Sequence, residues 1–220
     1  VCSSDLMGYK DAEASFSKAK RVVYTGNPVR PDVLVDTRAD GRNYFNLSDD
    51  TFTVLIAGGS RGARTINNAM IDVHKHFQET KGIKLIHITG DGEYKSVLSQ
   101  LGISDGDGLG DSSLILPYLH DMPKALAAAD LAVFRSGAIG LAELAVRGIP
   151  SVLVPYPYAA EDHQTYNAHI FVQEGAAHMI VDQMLSAHDL IGEIEMFMAN
   201  RDLLAQMGER ALQLGKPNAA

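Results

Sequence analysis

Tryptophan is absent from this chain, and cysteine occurs once, as Cys2. A single cysteine excludes an intrachain disulfide and fits a reducing, cytoplasmic compartment. Basic residues are scarce: 19 lysines and arginines stand against 27 aspartates and glutamates, a formal charge of −8. That balance speaks against a nucleic-acid binder, which usually presents a basic face, and gives no support for this part lying directly on an anionic membrane. Long hydrophobic runs are missing too. Residues 125–134 come nearest, and Asp130 interrupts them, whereas a bilayer span needs about 20 apolar residues. No signal peptide is visible. The histidines lack metal-ligand spacing. His74 and His76, two apart in a helical pattern, point to different faces.

What is present suits a globular α/β protein. The 220 residues are 46% hydrophobic and 21% charged, enough for a core of normal size in one large domain or one domain plus part of another. Apolar runs at 21–25, 52–57, 85–89, 113–118, 131–135, 151–155 and 178–181 read as strands. Helical patterns cover 63–79, 93–101, 122–128, 139–147, 164–174, 187–199 and 201–214. Strands separated by single helices imply right-handed crossovers and a mostly parallel, Rossmann-like sheet with helices on both faces. The polar stretch 37–51 and the Gly- and Asp-rich stretch 104–113 read as loops. The division is therefore 1–30 as the end of a preceding domain, 31–51 as linker, and 52–220 as the main domain. Residues 1–6 show no apolar period, and Lys216-Pro217-Asn218 reads as the start of another helix, so a fragment cut at both ends is expected.

Two glycine-rich turns carry the chemistry. Gly58-Gly59-Ser60-Arg61-Gly62-Ala63 follows one strand and opens a helix; Arg135-Ser136-Gly137-Ala138-Ile139-Gly140 does the same, with Glu143 about one helical turn further on. Glycines admit a ligand close to the backbone, Ser60 and Ser136 are candidate helix caps, and helix amino ends attract anions. Glu143 is placed to accept two ribose hydroxyls; the plainer alternative is an acid complementing the helix dipole. Neither turn is the dinucleotide pattern G-x-G-x-x-G, which counts against a nicotinamide-dependent oxidoreductase.

Three further segments follow strands. Asp162, His163, Gln164 and Asn167 offer directional polar groups for a hydroxyl-rich ligand, His163 also as a candidate base; alternatively Asp162 is a cap and Asn167 is surface. Arg30, after Thr25-Gly26-Asn27-Pro28-Val29, could reach a phosphate or simply lie on the surface. Tyr118, Leu119 and Met122 could sandwich a base or belong to the core.

In this order, over residues 22–220, the five segments resemble glycosyltransferase family 28, the MurG-like UDP-N-acetylglucosamine transferases. The resemblance implies the donor-binding half of a GT-B fold and an inverting transfer of N-acetylglucosamine to a lipid-linked muramyl pentapeptide in peptidoglycan synthesis. It implies peripheral association with the cytoplasmic face of the bacterial inner membrane, with no cofactor and no metal. Carried over, Arg30 and Ser60 contact the diphosphate. Tyr118, Leu119 and Met122 line the uracil pocket, with the Leu119 backbone reading the base. Ala138, Ile139 and Gly140 lie at the phosphate or sugar, Glu143 holds the ribose, and His163 and Gln164 face the sugar. Gly140 departs from the family's usual threonine, and Arg61 from its usual glutamine. The family's catalytic histidine and acceptor loops correspond to nothing in these 220 residues, so the chain alone is expected to bind donor without turnover. Open alternatives are a donor-binding subunit for a separate chain, or another GT-B transferase with a different acceptor.

Overall fold

The computed structural model describes residues 5–7, 22–24, 26–59, 63–105 and 109–219. Two short strands, β1 (Asp5–Met7) and β2 (Val22–Tyr24), pair in parallel. β1 has no counterpart among the sequence-based strands, being only three residues long. Beyond β2 the chain forms a six-stranded parallel sheet.

Its strands are β3 (Phe52–Ala57), β4 (Ile83–Ile88), β5 (Ser113–Leu116), β6 (Leu131–Phe134), β7 (Ser151–Leu153) and β8 (Ala177–Met179). Their spatial order is β5-β4-β3-β6-β7-β8. The central strands are apolar on both faces because both faces are covered. Val54, Ile56, Leu131, Val133 and Val152 point to one core, packed by α3 (Arg64–Phe77) and α8 (Ala187–Ala199). Leu55, Ala57, Ala132, Phe134 and Leu153 point to the other, packed by α5 (Met122–Ala128), α6 (Ala138–Arg147) and α7 (His163–Gln173). The alternation along β3 and β6 is the two-residue period of a strand. α4 (Asp91–Leu101) completes a smaller cluster beside β5, and α9 (Arg201–Leu214) reaches both large cores through Met207 and Ala211.

The segment read as linker is more ordered than its polarity suggests. It holds α1 (Pro31–Val35) and α2 (Arg38–Tyr44). Pro31 at the first helical position fits α1, and Thr37 with Asp40 forms a capping box for α2. Arg42 is buried and donates from Nη2 to the carbonyls of Ser48 and Thr51, folding residues 48–51 back onto α2. At the other end, Pro217 and Asn218 form a turn rather than a new helix. Ala219 packs near Gly26, whose φ of +80° and close approach to Lys216 both favour glycine.

Candidate functional site

All six strands run parallel, so their carboxyl ends share one edge. β3 and β6 are neighbours, and the later strands lie outward from them in opposite directions. A crevice opens at such a switch point, and ligands of open α/β sheets bind there. Both glycine turns flank it, one leaving β3 and the other leaving β6.

Gly58 is fixed by crowding: a Cβ on it would lie 2.1 Å from Ala63 Cβ. Gly59 has φ of +80° with open space around it, the geometry of a backbone left bare. Ser60 and Arg61 lie outside the described residues. The cap position of α3 belongs to Ala63, which makes no side-chain capping bond.

The second turn differs from its sequence reading at Ser136. Arg135 is buried. Its Nη1 donates to the carbonyls of Val154 (3.1 Å) and Pro155 (3.1 Å) and pairs with Asp182. Asp182 also accepts from Thr65 in the first turn of α3. Arg135 thus ties the ends of β6 and β7 to the start of α3. Ser136 is not a cap either: its hydroxyl donates to the Gln164 carbonyl at 2.7 Å. The cap position of α6 is Gly137, again without a side-chain capping bond. The leading amide groups of α6, at Ala138, Ile139 and Gly140, therefore have no partner within the helix and sit at its positive end. Ile139 is exposed there. A Cβ at Gly140 would meet only Phe134, at an ordinary 3.5 Å, so this position has room for a side chain.

Glu143 is buried, with its side chain 5% exposed, and it faces Arg30 across 113 residues of sequence. The guanidinium grips the carboxylate with both prongs, Nε to Oε1 at 2.7 Å and Nη2 to Oε2 at 3.0 Å. Such fork-on-fork pairs fix orientation as well as charge. Only the carboxylate end is buried; the Arg30 side chain is 47% exposed, so solvent screens the pair. Arg30 and Glu143 were assigned to different parts of one ligand; here they are partners of each other.

After β7 the chain passes through a short 3-10 turn, Ala160–Asp162, into α7. Glu161 and Asp162 both have φ near +50°, a conformation non-glycine residues adopt at a cost of order 1–3 kcal/mol each and one that clusters at functional sites. The exposed His163 ring bonds through Nδ1 to the Ala160 carbonyl at 2.7 Å. Gln164 Oε1 accepts from the Tyr156 amide at 3.0 Å, leaving its NH2 as the outward group. Asp162 accepts from Thr165 and makes no capping bond. Asn167 is not on the surface: it is buried and donates to the Ser136 carbonyl at 3.1 Å. Two bonds therefore lock α7 to the β6 turn.

Following β5, Tyr118 is 60% exposed and meets His120 edge-on. Leu119 and Met122 send their side chains toward the core that holds Phe134 and Leu141. Of Leu119, then, the backbone is what a ligand could meet.

A buried polar chain escaped the sequence reading. Ser113 Oγ and His74 Nδ1 are 2.8 Å apart, His74 Nε2 and His87 Nδ1 3.1 Å, and His87 Nε2 and Asn67 Oδ1 3.0 Å. Asn67 then donates to the Thr89 carbonyl at 3.0 Å, just beyond β4. Burial pushes the His74 imidazole down to about 4, and burial with the neighbouring ring pushes His87 well below its ordinary range. His76 points the other way, as its spacing predicts, and pairs with Glu195 at 2.8 Å on the surface. Among the described residues no cluster of three or more His, Cys, Asp or Glu could hold a metal ion, and no helix is long and apolar enough to cross a membrane.

Residues 53–220 match the glycosyltransferase family 28 C-terminal domain. The chain is 39% identical over 215 residues to the UDP-N-acetylglucosamine–N-acetylmuramyl-(pentapeptide) pyrophosphoryl-undecaprenol N-acetylglucosamine transferase of Desulforamulus reducens, covering 96% of this chain and 57% of that protein. It is 40% identical over 214 residues to the protein of the same name from Desulfitobacterium hafniense, covering 97% and 58%. The crystal structure of Acinetobacter baumannii MurG superimposes with a TM-score of 0.73 at 28% identity, over 100% of this chain and 58% of that one. The chain thus spans somewhat more than half the length of the relatives it matches.

Proposed function

The chain belongs to the glycosyltransferase family 28 C-terminal domain family, and from that premise we propose that it is the donor-binding half of a UDP-N-acetylglucosamine transferase. The acceptor would be a lipid-linked muramyl pentapeptide, as in the names of its relatives. On this reading residues 1–30 close a preceding, acceptor-binding domain, 31–51 connect the two, and 52–220 hold the nucleotide sugar. The whole protein would work peripherally at the cytoplasmic face of the bacterial membrane.

The observation that carries the reading is the α6 amino end at the switch point, uncapped, with Glu143 one turn inside it. The bare amides of Ala138, Ile139 and Gly140 suit a diphosphate, and Glu143 suits the ribose diol. The exposed Tyr118 and the Leu119 backbone suit the uracil, with Met122 packing beneath them. His163 and the Gln164 amide suit the sugar hydroxyls. Ser60, outside the described residues, is the first turn's candidate for the diphosphate.

The transfer breaks the bond between the sugar C1 and the UDP oxygen as the acceptor 4-hydroxyl oxygen forms its bond to C1 from the opposite face. Charge therefore develops on the departing diphosphate. On this reading the positive ends of α3 and α6 would stabilise that charge, which is electrostatic preorganisation rather than acid–base work. The proton lost by the 4-hydroxyl goes to a base on the acceptor side.

Thermal shift and titration calorimetry with UDP, UDP-N-acetylglucosamine, UDP-glucose and NAD test the reading. Stabilisation by UDP and UDP-N-acetylglucosamine is expected, with the UDP response greatly reduced in Glu143→Ala and no turnover by the chain alone. A response to NAD and not to UDP would end the proposal.

A further inference from the structure

The strands of the large sheet are parallel, so the residues that lead into β6 and β7 share the edge opposite the crevice. There Asp130 and Ile149 border a cavity of about 520 Å³. Three arginines line it as well: Arg38 at the start of α2, Arg147 at the end of α6 and Arg201 at the start of α9. From its charge and lining we propose that this cavity is a second ligand site, one that takes a phosphate monoester carrying a small apolar group.

The charge argument starts at Asp130. Its Oδ1 accepts from Arg38 Nη2 at 2.7 Å and its Oδ2 from the Thr53 amide at 2.8 Å. Two further guanidiniums stand beyond hydrogen-bond range of the same carboxylate, Arg201 Nη1 at 3.8 Å and Arg42 Nη1 at 3.9 Å. Arg42 lies behind Asp130, buried, and its Nε and Nη1 have no hydrogen-bond partner. Burial, and then the charge of Arg38, hold its guanidinium below the ordinary range, against the pull of Asp130. Asp49, 3.9 Å from Arg42 Nε, is fully exposed, and solvent screens it. Arg147 gives Nη1 to the carbonyls of Val33 (3.3 Å) and Asp36 (2.7 Å), which cancel no charge, and its buried Nε is unpartnered. With Glu209 also on the wall, four guanidiniums face two carboxylates. That local surplus of two positive charges, in a chain of net charge −8, is what one dianion neutralises.

The lining supplies the rest of the ligand. Leu126, Ile149 and Leu204 are buried side chains that contribute to the wall, and the volume falls in the range of small-molecule pockets. Arg201 is held over the Phe52 ring, 4.7 Å from its centre, and remains half exposed. Its guanidinium is therefore placed without being used up. Guanidiniums bind phosphate oxygens in pairs and prefer them to a point contact. A charged head beside an apolar wall fits a ligand built the same way.

Calorimetry at pH 7.5, above the second phosphate ionisation at about 6, tests the site with inorganic phosphate, phenyl phosphate and benzoate. Backbone amide shifts locate the binding. Phenyl phosphate is expected to bind about 10-fold more tightly than inorganic phosphate, through its buried ring, and to shift the amides of Ile149, Arg201 and Leu204. Benzoate, with the same ring and one charge, should bind at least about 10-fold more weakly than phenyl phosphate. Arg201→Gln should weaken phenyl phosphate by about 10-fold or more, and Arg38→Gln likewise. Arg38→Gln also removes a partner of Asp130; should it not fold, Arg201→Gln decides, because there Asp130 keeps Arg38. Shifts confined to the Ala138–Gly140 amides, unchanged affinity in Arg201→Gln, or benzoate binding as tightly as phenyl phosphate would each overturn the proposal. Vesicles of phosphatidic acid in phosphatidylcholine separate a lipid headgroup from a soluble ester. Arg201-dependent sedimentation with the vesicles, without binding of phenyl phosphate, would also overturn it. None of these outcomes depends on whether UDP occupies the crevice.

Discussion

Acidification should weaken this fold well above the pH at which carboxylates titrate, and the buried histidine chain sets by how much. Asn67 donates its amide to the Thr89 carbonyl, so its oxygen accepts from His87 Nε2. His87 Nδ1 is then an acceptor, and receives from His74 Nε2. His74 Nδ1 is an acceptor in turn, and receives from the Ser113 hydroxyl. Every hydrogen in the chain points one way, and each ring carries one proton. A second proton on His87 would set two donors face to face; one on His74 would force the Ser113 hydroxyl to turn away. The folded His74 lies at about 4, against about 6.5 in an unfolded chain. The unfolded state therefore binds more protons between these values, and stability falls as pH falls through that window. For His74 alone the loss between pH 7 and pH 5 is about 2 kcal/mol, a large share of a net stability of about 5–15 kcal/mol. His87 adds in the same direction. His178 works in the opposite sense: its hydrogen bond to Glu193 raises it, so its contribution is full at low pH and lost as pH rises. It is partly exposed, and solvent screens it. Urea denaturation at half-unit steps from pH 7.5 to 5 measures the slope. His74→Gln, which keeps a donor and an acceptor, should flatten it. An unchanged slope in that variant, or flat wild-type stability down to pH 5, would refute the reasoning.

Two other perturbations follow from the crevice. Arg135→Ala strips two carbonyls of their donor and leaves the largely buried Asp182 without its cation; denaturant titration should record a loss of about 3–5 kcal/mol, and a loss below about 1 kcal/mol would mean that Arg135 holds nothing together. Gly140→Thr should leave stability within about 0.5 kcal/mol, since its Cβ meets only Phe134 at 3.5 Å. By adding a hydroxyl at the helix start it should tighten UDP binding about 3-fold or more in calorimetry, and weaker binding would exclude a phosphate at this point.

The sheet was legible because its signals are local. Runs such as Val54-Leu55-Ile56 and Leu131-Ala132-Val133 announce buried parallel strands, and six of the seven sequence-based strands form the large sheet. β4 begins two residues earlier and β8 one residue earlier than their apolar runs suggest. The helices of 31–51 were missed although Pro31 and the Thr37–Asp40 box are local marks, because what stabilises them is remote. Arg42 is a charged residue inside a core, held through Nη2 by loop carbonyls, and polarity alone reads it as surface. The site divides in the same way. Its backbone elements, the two glycine turns and the α6 start, follow from neighbours in sequence. Its side-chain pairings do not. Arg30 finds Glu143 113 residues away, and Arg135 finds Asp182 47 residues away. An arginine after a strand carries no local sign that a carboxylate 113 residues away pairs with it. His87 likewise means little until folding brings it beside His74.

The uncapped amino ends at the crevice also set how a ligand arrives. A diphosphate approaching a chain of net charge −8 is repelled from afar and attracted only over the last few ångströms, where bare amides replace its water. At physiological salt the screening length, about 8 Å, falls between those two regimes. Dissolved ions therefore erase the repulsion while leaving the docked contacts almost untouched. On the proposed reading, a nucleotide diphosphate should bind faster as salt rises from dilute buffer and leave at nearly the same rate, the reverse of what a basic phosphate-collecting face would produce.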